Sequence, residues 1–193
     1  NTPLGLSQPP SWWLNIPSWL HTSFQISPGE PIILSAPDGT LIDVAPVNQE
    51  LRPGLSMGRV QPNTGEEWCI FDTPTPGEDN TGSTCYSGIE SPPIFMEPSG
   101  WYTQDVDVHV QAASPMQTIR FTANGDIPSQ SDSEVSGPIA LNETGILTAR
   151  AWGQDGNTLP SRAVDATYCI NESQFGLPVF SLFTDSLNLW DWN

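Results

Sequence analysis

Short apolar runs separated by proline and glycine set the rhythm of this chain, and the breakers leave almost no window long enough for a helix of several turns. The clearest case begins at Phe24, FQISPGEPIILSAPDGTLIDVAPV, where two apolar runs, Pro31 to Ser35 and Thr40 to Ala45, flank Pro37-Asp38-Gly39. Proline presets φ, aspartate caps its own turn and glycine accepts positive φ, so this segment predicts a β-hairpin. Further strands are expected over Ser56 to Val60 and within EEWCIFD at 66 to 72, each bounded by proline or glycine.

In the second half the period is two. DVDVHVQA, 105 to 112, places Val106, Val108 and Val110 on one face and Asp105, Asp107 and His109 on the other, the pattern of a half-buried strand with a solvated histidine. TIRFTA at 118 to 123, GILTARAW at 145 to 152 and AVDATYCI at 163 to 170 complete the series. Strands that recur with turn signals between them predict small antiparallel β-sandwiches, so the fold class is all-β. The first twenty residues, NTPLGLSQPPSWWLNIPSWL, hold three Trp and four Pro without a clear period and read as extended chain lying on another surface.

Composition narrows the partners. With 193 residues and 37% hydrophobic content the chain can form one large or two small domains with true cores. Its 22 acids face five Arg and no Lys, a net charge of -17, which argues against binding a phosphate backbone. No stretch approaches the roughly 20 apolar residues of a membrane span. The chain starts at Asn1 without an initiator Met, and reads as a piece of something longer. Cysteines at 69, 85 and 169 form no CxxC, and His21 and His109 are the only histidines, so zinc templates fail. A disulfide fits better: Cys69 with Cys85, closing about 17 residues for about 3 kcal/mol in the chain-entropy model, or Cys85 with Cys169, with three free thiols as the remaining alternative. Any bridge implies an oxidising, extracytoplasmic location.

Three groups of residues carry resemblances. Over 92 to 168, PPIFMEPSGWYTQDVDVHVQA, TIRFTANGDIPSQSDSEVSGPIAL and GILTARAWGQDGNTLPSRAVDATY resemble the immunoglobulin-like domain at the C-terminus of chitobiases. Over 20 to 80, LHTSFQISPGEPIILSAPDGTLID, SMGRV and EEWCIFDTPTPGEDN resemble the latter part of a lamin-tail domain, without that domain's usual opening strand. The tail GLPVFSLFTDSLNLWDWN is similar to the segment leading into the kinase-like module of proteins like spore-coat protein H. The resemblances imply two tandem immunoglobulin-like β-sandwiches in a bacterial secreted protein: residues 1–80, a linker at 81–91, residues 92–170, and a connector at 171–193. They also imply a role in structure or spacing, with no catalytic residue.

Candidate chemistry is sparse. GxSxG, HExxH and a phosphate-cradling loop with Lys are absent, and the neighbouring acids Glu66-Glu67 and Glu78-Asp79 read as solvated turn residues rather than a glycosidase pair. Calcium is the cofactor to consider, in the loop of Asp126, Asp132 and Glu134 or in that of Asp72, Glu78 and Asp79, although neither has EF-hand spacing. The alternative is acids hydrogen-bonding their own backbone. Asn142-Glu-Thr and Asn171-Glu-Ser match the N-glycosylation pattern. Trp152 is expected in the core, whereas Trp12, Trp13 and Trp101 could form a sugar-stacking platform. The expected function is a non-catalytic structural, docking or adhesion region at the cell surface, whose partners are other domains of the chain or surface proteins. Two other readings are an accessory polysaccharide-binding region and the visible part of a larger protein held by a secretion or surface complex.

Overall fold

The computed structural model describes residues 26–60 and 67–172. Everything regular in it is β: β1 Ile32–Ser35, β2 Leu41–Ala45, β3 Ser56–Gly58, β4 Cys69–Phe71, β5 Gly88–Ile89, β6 Ile94–Phe95, β7 Gly100–Tyr102, β8 Val106–Val108, β9 Val110–Gln111, β10 Gln117–Thr122, β11 Ser133–Glu134, β12 Ile139–Leu141, β13 Gly145–Gly153, β14 Thr158–Leu159 and β15 Val164–Ile170. Among the described residues no helix is long and apolar enough to cross a membrane.

The chain divides into two compact units, and it crosses between them three times. The first unit holds the described residues up to Trp68 together with Thr73–Thr81, and the second holds Cys69–Asp72 together with those from Gly82 onward. The CIF strand therefore belongs to the second unit, although the sequence places it as the last strand of the first.

In the first unit β1 and β2 pair antiparallel, with Ile32 opposite Ala45, Ile33 opposite Val44 and Leu34 opposite Asp43. The turn works as its residue types require. Gly39 sits at φ 88°, the Asp38 carboxylate accepts the Thr40 N–H at 2.9 Å, and the Ala36 N–H donates to the Thr40 carbonyl at 2.8 Å.

The second unit is built on a five-stranded sheet in the order β11-β10-β13-β15-β7, antiparallel except where β15 meets β7. The ribbons β8–β12 and β6–β9 supply apolar side chains to one face of it. Period two decides which residues turn inward. Leu147, Ala149 and Ala151 of β13 are buried, as are Ala166, Tyr168 and Ile170 of β15, and they pack with Val108, Phe95, Phe121 and Ile139.

The stretch 105 to 112 is divided where a single strand is expected. Val106 and Val108 pair with β12, whereas Val110 pairs with β6, so the chain changes partners at His109. The segment expected as a linker is likewise built into the second unit: Gly88 and Ile89 pair in parallel with Thr158 and Leu159, and the Glu90 N–H donates to the Leu159 carbonyl at 2.9 Å.

Candidate functional site

The feature of the first unit that most needs a partner is its hairpin. Isoleucine favours a strand, but in β1 and β2 isoleucine and leucine occupy both faces, and Ile32, Ile33, Leu34, Leu41 and Ile42 are all exposed. Beside Ile32 and Ala45, which share a face, lies an apolar groove of about 370 Å³ lined also by Leu51, Met57 and Trp68, with Glu50 in its wall. Next to the groove, Arg59 stacks its guanidinium 4.5 Å from the centre of the Trp68 ring. It also holds Asp43 through two 2.8 Å hydrogen bonds. Asn80 closes this corner, donating its side-chain amide to the Arg59 carbonyl at 2.7 Å.

Cys69 and Cys85 form a disulfide and Cys169 is a free thiol. The bridge stands beside a reciprocal backbone pair in which the Ile70 N–H donates to the Tyr86 carbonyl at 2.8 Å and the Tyr86 N–H to the Ile70 carbonyl at 3.0 Å. The disulfide thus braces the entry strand of the second unit.

Trp101 lies on the outward face of the five-stranded sheet, in register with Cys169, and is half-buried. Trp152 is a correction to its expected core position. It pairs with Thr118, one step out of phase with the inward Ala151 and Ile119, and its ring lies 5.4 Å from the Arg150 guanidinium. The two indoles do not form one platform. Tyr168 stands opposite Gly145, so Cys169 and Trp101 lie level with Thr144, eight residues from Trp152 along the strand, or roughly 26 Å. Trp12 and Trp13 lie outside the described residues.

The acids of the candidate calcium loop turn to separate local partners. Asp132 accepts both the N–H and the hydroxyl of Ser129 at 2.7 Å, which holds its carboxyl below the ordinary carboxylate value. Asp126 accepts the Asn124 amide at 2.6 Å, while Glu134 faces Arg120 at 3.6 Å. In the other loop Asp79 accepts the Thr81 N–H at 2.9 Å. Among the described residues no three His, Cys, Asp or Glu side chains converge on a metal position.

Two carboxylates escaped sequence reasoning because their partners are far away along the chain. Glu97 accepts the His109 backbone N–H at 2.6 Å and pairs with its ring Nδ1 at 3.0 Å, so His109 is a partnered residue, not merely a solvated one. The backbone hydrogen bond from His109 is the main reason that the Glu97 carboxyl is held below its usual value. Glu90 accepts the Thr158 hydroxyl at 2.5 Å and the Gln117 amide at 2.6 Å, tying the supposed linker to the sheet. Glu97 sits between Pro92-Pro93 and Pro98-Ser99, ahead of β7, and Glu90 lies in the expected linker. Neither position has a local periodicity that would mark it. Compared with known proteins, the chain matches no family model, no curated protein and no solved structure.

Proposed function

We propose that the chain is a non-catalytic docking or adhesion region of an extracytoplasmic protein, built from two immunoglobulin-like sandwiches in tandem. The observation that carries this reading is the β1–β2 hairpin, whose isoleucines and leucines stand in solvent beside an apolar groove. Exposed apolar surface of this kind marks a contact site more often than a folding surplus. The Cys69–Cys85 bridge supports an oxidising location. The lamin-tail, chitobiase-type and spore-coat-H-like likenesses support membership in a bacterial surface architecture, with spacing and attachment as the work of the region.

The test is retention. Fluorescently labelled full chain, added to intact cells of its source, is expected to stay on the surface through washing, and Ile33→Glu to reduce the retained signal several-fold. Equal retention of the two proteins, or turnover of a polysaccharide by the chain itself, sinks the reading.

A further inference from the structure

Strands that are apolar on both faces are normally covered on both faces. Here Ile33, Leu34, Leu41 and Ile42 keep 61%, 56%, 60% and 60% of their surface in solvent. Their sheet consists of β1 and β2 alone, so among the described residues no third strand meets either edge. Open backbone edges with apolar side chains above and below form a template for an added strand, which would gain main-chain hydrogen bonds and seat alternate side chains.

Charge selects the occupant. Glu30 precedes β1, Asp38 forms the turn and Glu50 lines the groove, while Arg59 already holds Asp43. A second copy would bring another net charge of -17 against the same surface. We propose that β1–β2 receives an extended segment of a basic partner protein. It adds as a strand along the β1 edge, lays alternate apolar side chains beside Ile33, and sets Lys or Arg beside Glu30, Asp38 and Glu50. This inference rests on the docking reading and adds the chemistry of the partner.

A library of random 12-residue peptides displayed on phage, selected against the full chain, provides the probe. Enriched peptides are expected to alternate apolar residues and to carry Lys or Arg. The synthetic form of the best one should slow hydrogen exchange over 32–35 or 41–45 and lose affinity several-fold between 50 and 200 mM salt, roughly as expected when a few ion pairs are screened. Ile33→Glu, at a solvent-exposed position, is expected to weaken it about tenfold or more, the effect of placing a charge against an apolar anchor. Enriched peptides without basic residues, undiminished binding to Ile33→Glu, or a dimer that Ile33→Glu dissolves would each overturn the inference. Peptides that protect a different segment remove this inference and leave docking standing. If no peptide enriches, the basic-strand proposal falls, and surface retention alone then decides the docking reading.

Discussion

Asp43 and Arg59 meet as a bidentate pair, each guanidinium nitrogen 2.8 Å from a carboxylate oxygen, with the Trp68 ring stacked against the same guanidinium. The Arg59 hydrogen bonds, followed by one from the Val44 N–H, hold the Asp43 carboxyl down to about 2 from an ordinary 3.8. A carboxyl whose folded value is depressed contributes stability above its unfolded value, and that contribution fades as pH falls through the window between about 4 and about 2. Urea unfolding followed by tryptophan fluorescence should therefore show a midpoint that falls across this window, and Asp43→Asn should flatten the fall. An unchanged slope in the variant would mean that the pair does not report on folding.

Tyr168 is fully buried and donates its hydroxyl to the Glu97 carbonyl at 2.9 Å. Burial pushes its phenol up to about 12, so its share of stability is present below the unfolded value near 10 and is lost as pH rises toward 12. Absorbance titration of the native chain is expected to show a phenolate component near 12 that Tyr168→Phe removes. The same substitution leaves a carbonyl unpaired and should cost about 1–2 kcal/mol in denaturant unfolding.

Gly153 ends β13 against the Glu90–Thr158 hydrogen bond, and a methyl group there would collide with Thr158 Oγ1 and Glu90 Oε1. Gly153→Ala should lower stability by about 1–3 kcal/mol through this overpacking. Thr158→Ala in the same background should recover part of the loss, and thermal unfolding of the single and double variants is the measurement. A neutral single variant would show that the Glu90 side chain moves aside freely.

The Cys69–Cys85 bridge closes a loop with a sequence separation of 16. Reduction should cost about 3 kcal/mol in the chain-entropy model. Cys69→Ser should reproduce that loss and make unfolding insensitive to reductant. Peptide mass mapping that found Cys85 joined to Cys169 would refute the pairing.

The hairpin, the CIF strand and the long strands β10, β13 and β15 were legible because each depends on local chemistry: Pro-Asp-Gly at 37 to 39, and alternating Leu147, Ala149 and Ala151. What was not legible depends on distant pairing. Valines 106, 108 and 110 have the periodicity of one strand, yet Glu97 and Met96 take hold of His109 and turn the chain to a second partner. The pairing of 88–90 was hidden for the same reason, since the residues that hold this stretch, Thr158, Leu159 and Gln117, lie well downstream. Trp152 went astray by a single step of phase: alanine at 151 faces inward, so its neighbour faces out. The candidate calcium loop showed its acids correctly and its geometry not at all, because Ser129 and Asn124 answer them locally.

The three passages of the chain between units, after Trp68, Asp72 and Thr81, bear on how such a protein can be taken apart. No uninterrupted fragment encodes either unit. A cut after residue 81 would remove β4, whose three residues are all buried, from the second unit and strand Cys85 as a lone thiol. Expression of the later half by itself should therefore yield material prone to mispaired cysteines. Recombination that respects folding would have to transmit both halves as one indivisible cassette.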